Sequence, residues 1–130
     1  MADFKKVKEY LSELGYTISR EDAENEIVVI SDERMGIKEL IIDCEAPIIV
    51  FEQFIFRIKD KNTAKMFLRL LQMNRALVHG AFVVDEAGER VLFRDTLQLE
   101  NLDLNEIKGS IDSLSIAMVE FTDELLEFAK

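Results

Sequence analysis

The chain has 130 residues, 48% of them hydrophobic, and a formal net charge of −10. That length suits one domain, 1–130, which would bury roughly 68% of its unfolded surface, enough for one core. A pI near 4.6 sets the chain against phosphate backbones and anionic bilayers, and no basic run relieves it, because Lys5, Lys6 and Lys8 stand beside Glu9 and Glu13.

Cys44 is the only cysteine, so no internal disulfide forms, which suits a reducing compartment. Residues 1–10 lack the apolar centre of a signal peptide, and no run reaches the length of a membrane span. The expected setting is the cytoplasm.

In chain order, Asp3 to Leu14 reads as a helix. Phe4, Val7, Leu11 and Leu14 share a stripe, Asp3 is the expected N-cap and Gly15 the stop. Tyr16 to Ser19 reads as a short extended piece and the acidic Arg20 to Glu26 as a surface loop. Ile27 to Ser31 is a β-branched strand, Asp32 to Gly36 a turn, and Ile37 to Cys44 the next strand. After Glu45-Ala46-Pro47 comes Ile48 to Ile58, the longest strand pattern of the chain. The two-residue period puts Ile48, Val50, Glu52, Phe54, Phe56 and Ile58 on one face, and Ile49, Phe51, Gln53, Ile55 and Arg57 on the other. Both faces are mainly apolar. One layer of helices covers only one face, so the strand calls for a second cover.

A second helix, capped by Asn62 or Asp60, is expected to run to about His79 and stop at Gly80, with Phe67, Leu70, Leu71, Leu77 and Val78 as its stripe and Met66 and Met73 widening it. Ala81 to Val84 and Arg90 to Leu99 form a hairpin about the Asp85–Gly88 turn. The last helix opens with an Asp103/Glu106 capping box between the staple residues Leu102 and Ile107. Its stripe continues through Leu104, Ile111, Leu114, Met118, Phe121, Leu125 and Phe128, which fits packing on a sheet. The order α-β-β-β-α-β-β-α, with short connections, predicts a two-layer α+β fold with a five-stranded, mainly antiparallel sheet and three helices. The first and last helices are expected to cover one face.

Phe67 to Asp103, FLRLLQMNRALVHGAFVVDEAGERVLFRDTLQLENLD, resembles the YbjN-like group of bacterial sensory-transduction regulators. The likeness rests on Leu70, Leu71 and Asn74 leading to Gly80, the Asp85–Gly88 turn, Arg94 and Leu97, and the capped helix. The element order of the whole chain resembles the type III secretion chaperones, which share that fold. The resemblance implies a chaperone-like or regulatory protein binder that acts as a dimer.

Candidate reactive residues read as structural. His79 is the only histidine and has no visible catalytic partner. Cys44 ends an apolar strand. Glu21, Asp22, Glu24 and Glu26 do not have the spacing of a calcium loop. Asn74 lies on the apolar side of its helix, where it reads either as a satisfied amide that fixes packing or as a binding residue. Arg94 and Asp95 read as ion-pair or edge residues. Searches for Gly-rich phosphate loops, HExxH, GxSxG and paired cysteines find nothing. No catalytic residue, metal or cofactor is expected. The leading expectation is a non-enzymatic module that binds a client segment and pairs as a homodimer, with Ile49, Phe51 and Ile55, or Met66, Leu70 and Met73, at the partner or dimer surface. The alternative is a small-molecule sensor or enzyme with a pocket between helices and sheet.

Overall fold

The computed structural model describes every residue except Met1 and Asn62. Helix α1 (Ala2–Glu13) is followed by strands β1 (Ile18–Asp22), β2 (Ile27–Asp32), β3 (Ile37–Glu45) and β4 (Ile48–Arg57), helix α2 (Thr63–Asn74), strands β5 (Ala81–Val84) and β6 (Arg90–Gln98), and helix α3 (Leu104–Ala129). A single 3-10 turn, Glu33–Met35, lies between β2 and β3. The sheet has six strands in the order β1-β2-β3-β4-β6-β5, and every adjacent pair is antiparallel. The α+β class, the antiparallel sheet and the three helices are as the sequence predicts. The sixth strand, β1, is a correction to the acidic loop read at 20–26. Only Ile18 of its five residues is partly buried, and an edge strand with so little burial leaves no alternating apolar signal.

Helix α1 closes with a Schellman arrangement. The Gly15 amide donates to Ser12 O and the Tyr16 amide to Leu11 O, both at 3.0 Å. Asp3 falls inside the first turn instead of capping it. The expected Asn62 cap of α2 lies outside the described residues. Helix α2 ends at Asn74, five residues short of His79, and residues 75–77 close with i→i−3 bonds. Val78, read as part of the helical stripe, is 81% exposed. The α3 capping box forms as read: Asp103 accepts from the Glu106 amide and Glu106 accepts from the Asp103 amide.

All three helices lie on the same side of the sheet. Ile49 and Phe51 on β4, Phe93 on β6, Val28 and Ile30 on β2 and Leu40 and Ile42 on β3 point into a core with Phe4, Val7 and Leu11 of α1 and Ile107, Ile111 and Leu114 of α3. Two residues further along β6 on the same face, Val91 joins Phe56, Phe82, the α2 residues Met66, Leu70 and Met73, and Ala117, Phe121 and Leu125 of α3. The register shift between Phe54 and Phe56 in β4 turns Phe56 onto this side. The expectation that α2 would be left to a partner is thereby corrected, because α3, with 26 residues, is long enough to serve both α1 and α2.

Candidate partner-binding surface

The residues expected at a partner surface are mostly interior. Ile49, Phe51, Met66, Leu70 and Met73 are buried within the chain's own cores, and Ile55 is half-buried at the boundary between them. The face of β4 expected to meet a partner is the one that the helices cover. Two apolar faces in a sequence do not say which one the helices take, whereas the structure does: the odd-numbered residues up to Gln53 face the helices.

The opposite face is bare. Strand registers place Val29, Ile41, Glu52, Arg94 and Ala81 in one row across the sheet, Ile27, Asp43, Val50 and Thr96 in a second, and Phe54, Leu92 and Val83 in a third. Val29, Val50 and Leu92 are buried yet belong to neither core. They are shielded by their neighbours on the pleat. Phe54 is 52% and Ile41 40% exposed. Near β1 the face forms a shallow cleft of about 340 Å³ lined by Arg20, Glu21, Asp22, Ile27, Val29 and Ile41.

Polar groups on this face are mostly paired. Arg94 Nη1 donates to Glu52 Oε2 at 2.6 Å across β4 and β6, and Arg20 lies 3.1 Å from Glu39. Burial, then the nearby Glu45 and Glu52 charges, push the Asp43 carboxyl above its usual range. The result is an apolar floor with an acidic centre, a surface that complements apolar segments flanked by cations.

The two sheet edges differ. On the outer edge of β5, the Asn74 amide holds both the N–H and the C=O of Phe82. β1 has only β2 beside it, and among the described residues no strand occupies its outer edge. A second apolar surface lies where α2 meets β5. There Phe67, Leu70, Leu71, Phe82, Val83 and Val84 line an open cleft of about 430 Å³, with Leu71 66% exposed.

The residues read as structural have structural partners. Asp95 accepts a hydrogen bond from the Ser110 hydroxyl of α3. Ser113 donates to His79 O at 2.6 Å and accepts from the His79 amide at 3.1 Å, so Ser110 and Ser113 tie α3 to its surroundings. Burial pushes the Cys44 thiol up to about 11. Among the described residues no group of three His, Cys, Asp or Glu side chains could hold a metal ion, and no helix is long and apolar enough to cross a membrane.

Sequence reading missed two features. Gln53 is 1% exposed; it accepts from the Lys38 amide at 2.9 Å and donates to Gly36 O at 3.1 Å, which fixes the start of β3. A polar residue in the middle of an apolar strand face was the available signal. The second is a basic pole. The sequence has no basic run, but the fold brings Lys59, Lys61, Lys65 and Lys130 around one cleft.

Residues 1–130 match the CesT_Tir_1 model, and the chain belongs to this family of type III secretion chaperones. Solved structures share the fold. YbjN from E. coli aligns over 92% of this chain and 91% of its own, with a TM-score of 0.69 at 12% identity. The HopA1–SchA chaperone–effector complex aligns over 99% of this chain and 96% of its own, at 0.63 and 12%. The heterodimeric ExoU–SpcU complex of the Pseudomonas aeruginosa type III secretion system aligns over 70% and 74%, at 0.56 and 18%. No curated protein matches the chain significantly.

Proposed function

We propose that this chain is a non-enzymatic, cytoplasmic protein-binding domain, chaperone-like or regulatory, that holds an apolar segment of a partner on the bare face of its sheet. The observation that carries this reading is the sheet face that all three helices leave on the outside, with Ile41 and Phe54 exposed on it and Val29, Val50 and Leu92 buried between their neighbours. Family membership and the two neighbours solved as complexes, one of a chaperone with an effector and one a heterodimer, support it. The free outer edge of β1 offers main-chain hydrogen bonds to an extended segment, while side chains of alternate residues reach the floor. The acidic centre favours segments with basic flanks.

The same reading includes a homodimer formed through the exposed α2–β5 surface, with Phe67, Leu71 and Val84 at its centre. An isologous contact would cover this patch on both copies.

The test is affinity capture from the protein's own cells with the wild type and with Phe54→Asp and Ile41→Asp. Both side chains are exposed and outside the two cores, and circular dichroism checks that the variants keep the fold. Loss of a stoichiometric partner from both variants is expected, and unchanged capture by both overturns the sheet-face reading. Light scattering of Leu71→Asp tests the dimer separately: a dimeric wild type and a monomeric variant are expected, and a monomeric wild type at tens of micromolar overturns it.

A further inference from the structure

The basic pole gathers four lysines of this acidic chain around one cleft. Lys59 and Lys61 come from the β4–α2 connection, Lys65 from the first turn of α2, and Lys130 from beyond the end of α3; with Met66, Glu127 and Phe128 they line a cleft of about 410 Å³. The charges are not there to neutralise the chain's own carboxylates. Arg69 is paired with Glu124 at 2.6 Å and Lys130 with Glu127 at 2.7 Å, but Lys59, Lys61 and Lys65 have no ion-pair partner among the described residues. The cleft's one lining carboxylate, Glu127, is already paired with Lys130, so the lining carries more cations than anions and favours an added anion.

The cleft also continues. Lys65 and Phe128 are shared with a neighbouring groove of about 340 Å³ between α2 and α3, lined further by Leu68, Arg69, Gln72 and Glu124. Lys59, Lys61 and Lys130 line only the first cleft, and Leu68 lines only the second. Glu127 already sets one carboxylate against Lys130.

We infer that this α2–α3 cleft is a docking site for an acidic peptide segment, with its carboxylates on Lys59, Lys61 and Lys65 and an apolar side chain against Leu68 and Phe128. A peptide fits better than a nucleic acid. A phosphate backbone running past the cleft meets a chain whose net charge is −10, whereas a peptide's charge can stop where the lysines stop. The inference deepens the protein-binding reading and rests on it. It gives the partner two parts: an apolar segment with basic flanks for the sheet face, and an acidic segment for the opposite side of the molecule.

The test is amide NMR of the full chain titrated with a synthetic peptide of alternating glutamate and leucine, its lysine–leucine counterpart, and a single-stranded oligouridylate. Shifts at Lys65, Met66, Leu68 and Phe128 with the acidic peptide alone are expected, weakening as salt is raised. The exposed triple variant Lys59→Glu, Lys61→Glu, Lys65→Glu should lose at least about tenfold in affinity, and the milder triple Lys→Gln variant should fall between it and the wild type. Equal binding of the acidic peptide to wild type and both variants, equal binding of the basic peptide, or tighter binding of the oligouridylate overturns the inference. Phe54→Asp separates it from the sheet-face reading: this variant should still bind the acidic peptide, and loss of that binding from the folded variant would overturn a separate α2–α3 site.

Discussion

Asn74 and Phe82 exchange two hydrogen bonds: the Phe82 amide donates to Asn74 Oδ1 at 2.7 Å, and Asn74 Nδ2 donates to Phe82 O at 3.2 Å. A carboxamide repeats the donor and acceptor of a peptide group, so the last residue of α2 takes the place of a neighbouring strand for β5. Asn74→Ala leaves both Phe82 groups without that partner and should destabilise the chain by about 1–3 kcal/mol. Asn74→Asp keeps the acceptor but sets a charge against the Phe82 carbonyl, and should fare no better. Urea unfolding checks both, and wild-type stability in Asn74→Ala would show that these bonds have no net weight.

Gly36, at φ +74°, sits against α3 so closely that an added Cβ would lie 2.6 Å from Met118 Cβ. That is backbone-anchored atom against backbone-anchored atom, so one element has to move. Gly36→Ala combines this clash with left-handed strain and should cost about 1–3 kcal/mol. Thermal unfolding gives the value. A variant as stable as wild type would mean that α3 shifts freely on the turn.

Asp85 organises the β5–β6 turn, accepting from Arg90 Nε at 2.9 Å and from the amides of Glu89 and Arg90 at 2.8 and 3.2 Å. The Arg90 side chain first, then the amides, hold its carboxyl down at about 2 against an ordinary 3.8. A depressed carboxyl contributes stability above its unfolded pKa and loses it as pH falls through the folded one. The turn should therefore weaken between about pH 4 and pH 2, and Asp85→Asn should flatten that part of the stability profile. NMR titration of the Asp85 carboxyl reads the shift directly.

Cys44 has the opposite sign. Burial raises its thiol from 9.0 to about 11. A raised group keeps its contribution below the unfolded pKa and loses it as pH rises towards the folded one, so Cys44 should destabilise the fold only above about pH 9. At neutral pH the native thiol should react with iodoacetamide at least about tenfold more slowly than in the urea-unfolded chain. Equal rates would place the thiol at the surface.

Periodic signals carried the most from sequence to fold. The α3 stripe and its capping box, the β5–β6 turn and the long β4 pattern each repeat a local rule over many residues. Asn74 was legible as an amide on an apolar face that needed a backbone partner. Sidedness was not legible. Ile49 and Val50 are equally apolar, and which of them meets α1 and α3 is settled by where the helices pack. β1 was missed because Arg20, Glu21 and Asp22 hold their strand through main-chain pairing with β2, which leaves no side-chain pattern. The lysine cleft was missed because Lys59, Lys61 and Lys65 are interrupted by Asp60 and three uncharged residues, and the fourth member, Lys130, comes from the far end of the sequence.

The unequal sheet edges bear on how these molecules can associate. With Phe82 held by Asn74 at mid-strand on β5, a β5 edge cannot receive the β1 edge of another copy along its full length, so head-to-tail growth of one continuous sheet is blocked. Two copies can still meet β1 to β1, and that contact uses the remaining edge of each. Strand addition therefore ends with a single guest, whether a client or a twin, and pairing through these edges does not extend into a fibre.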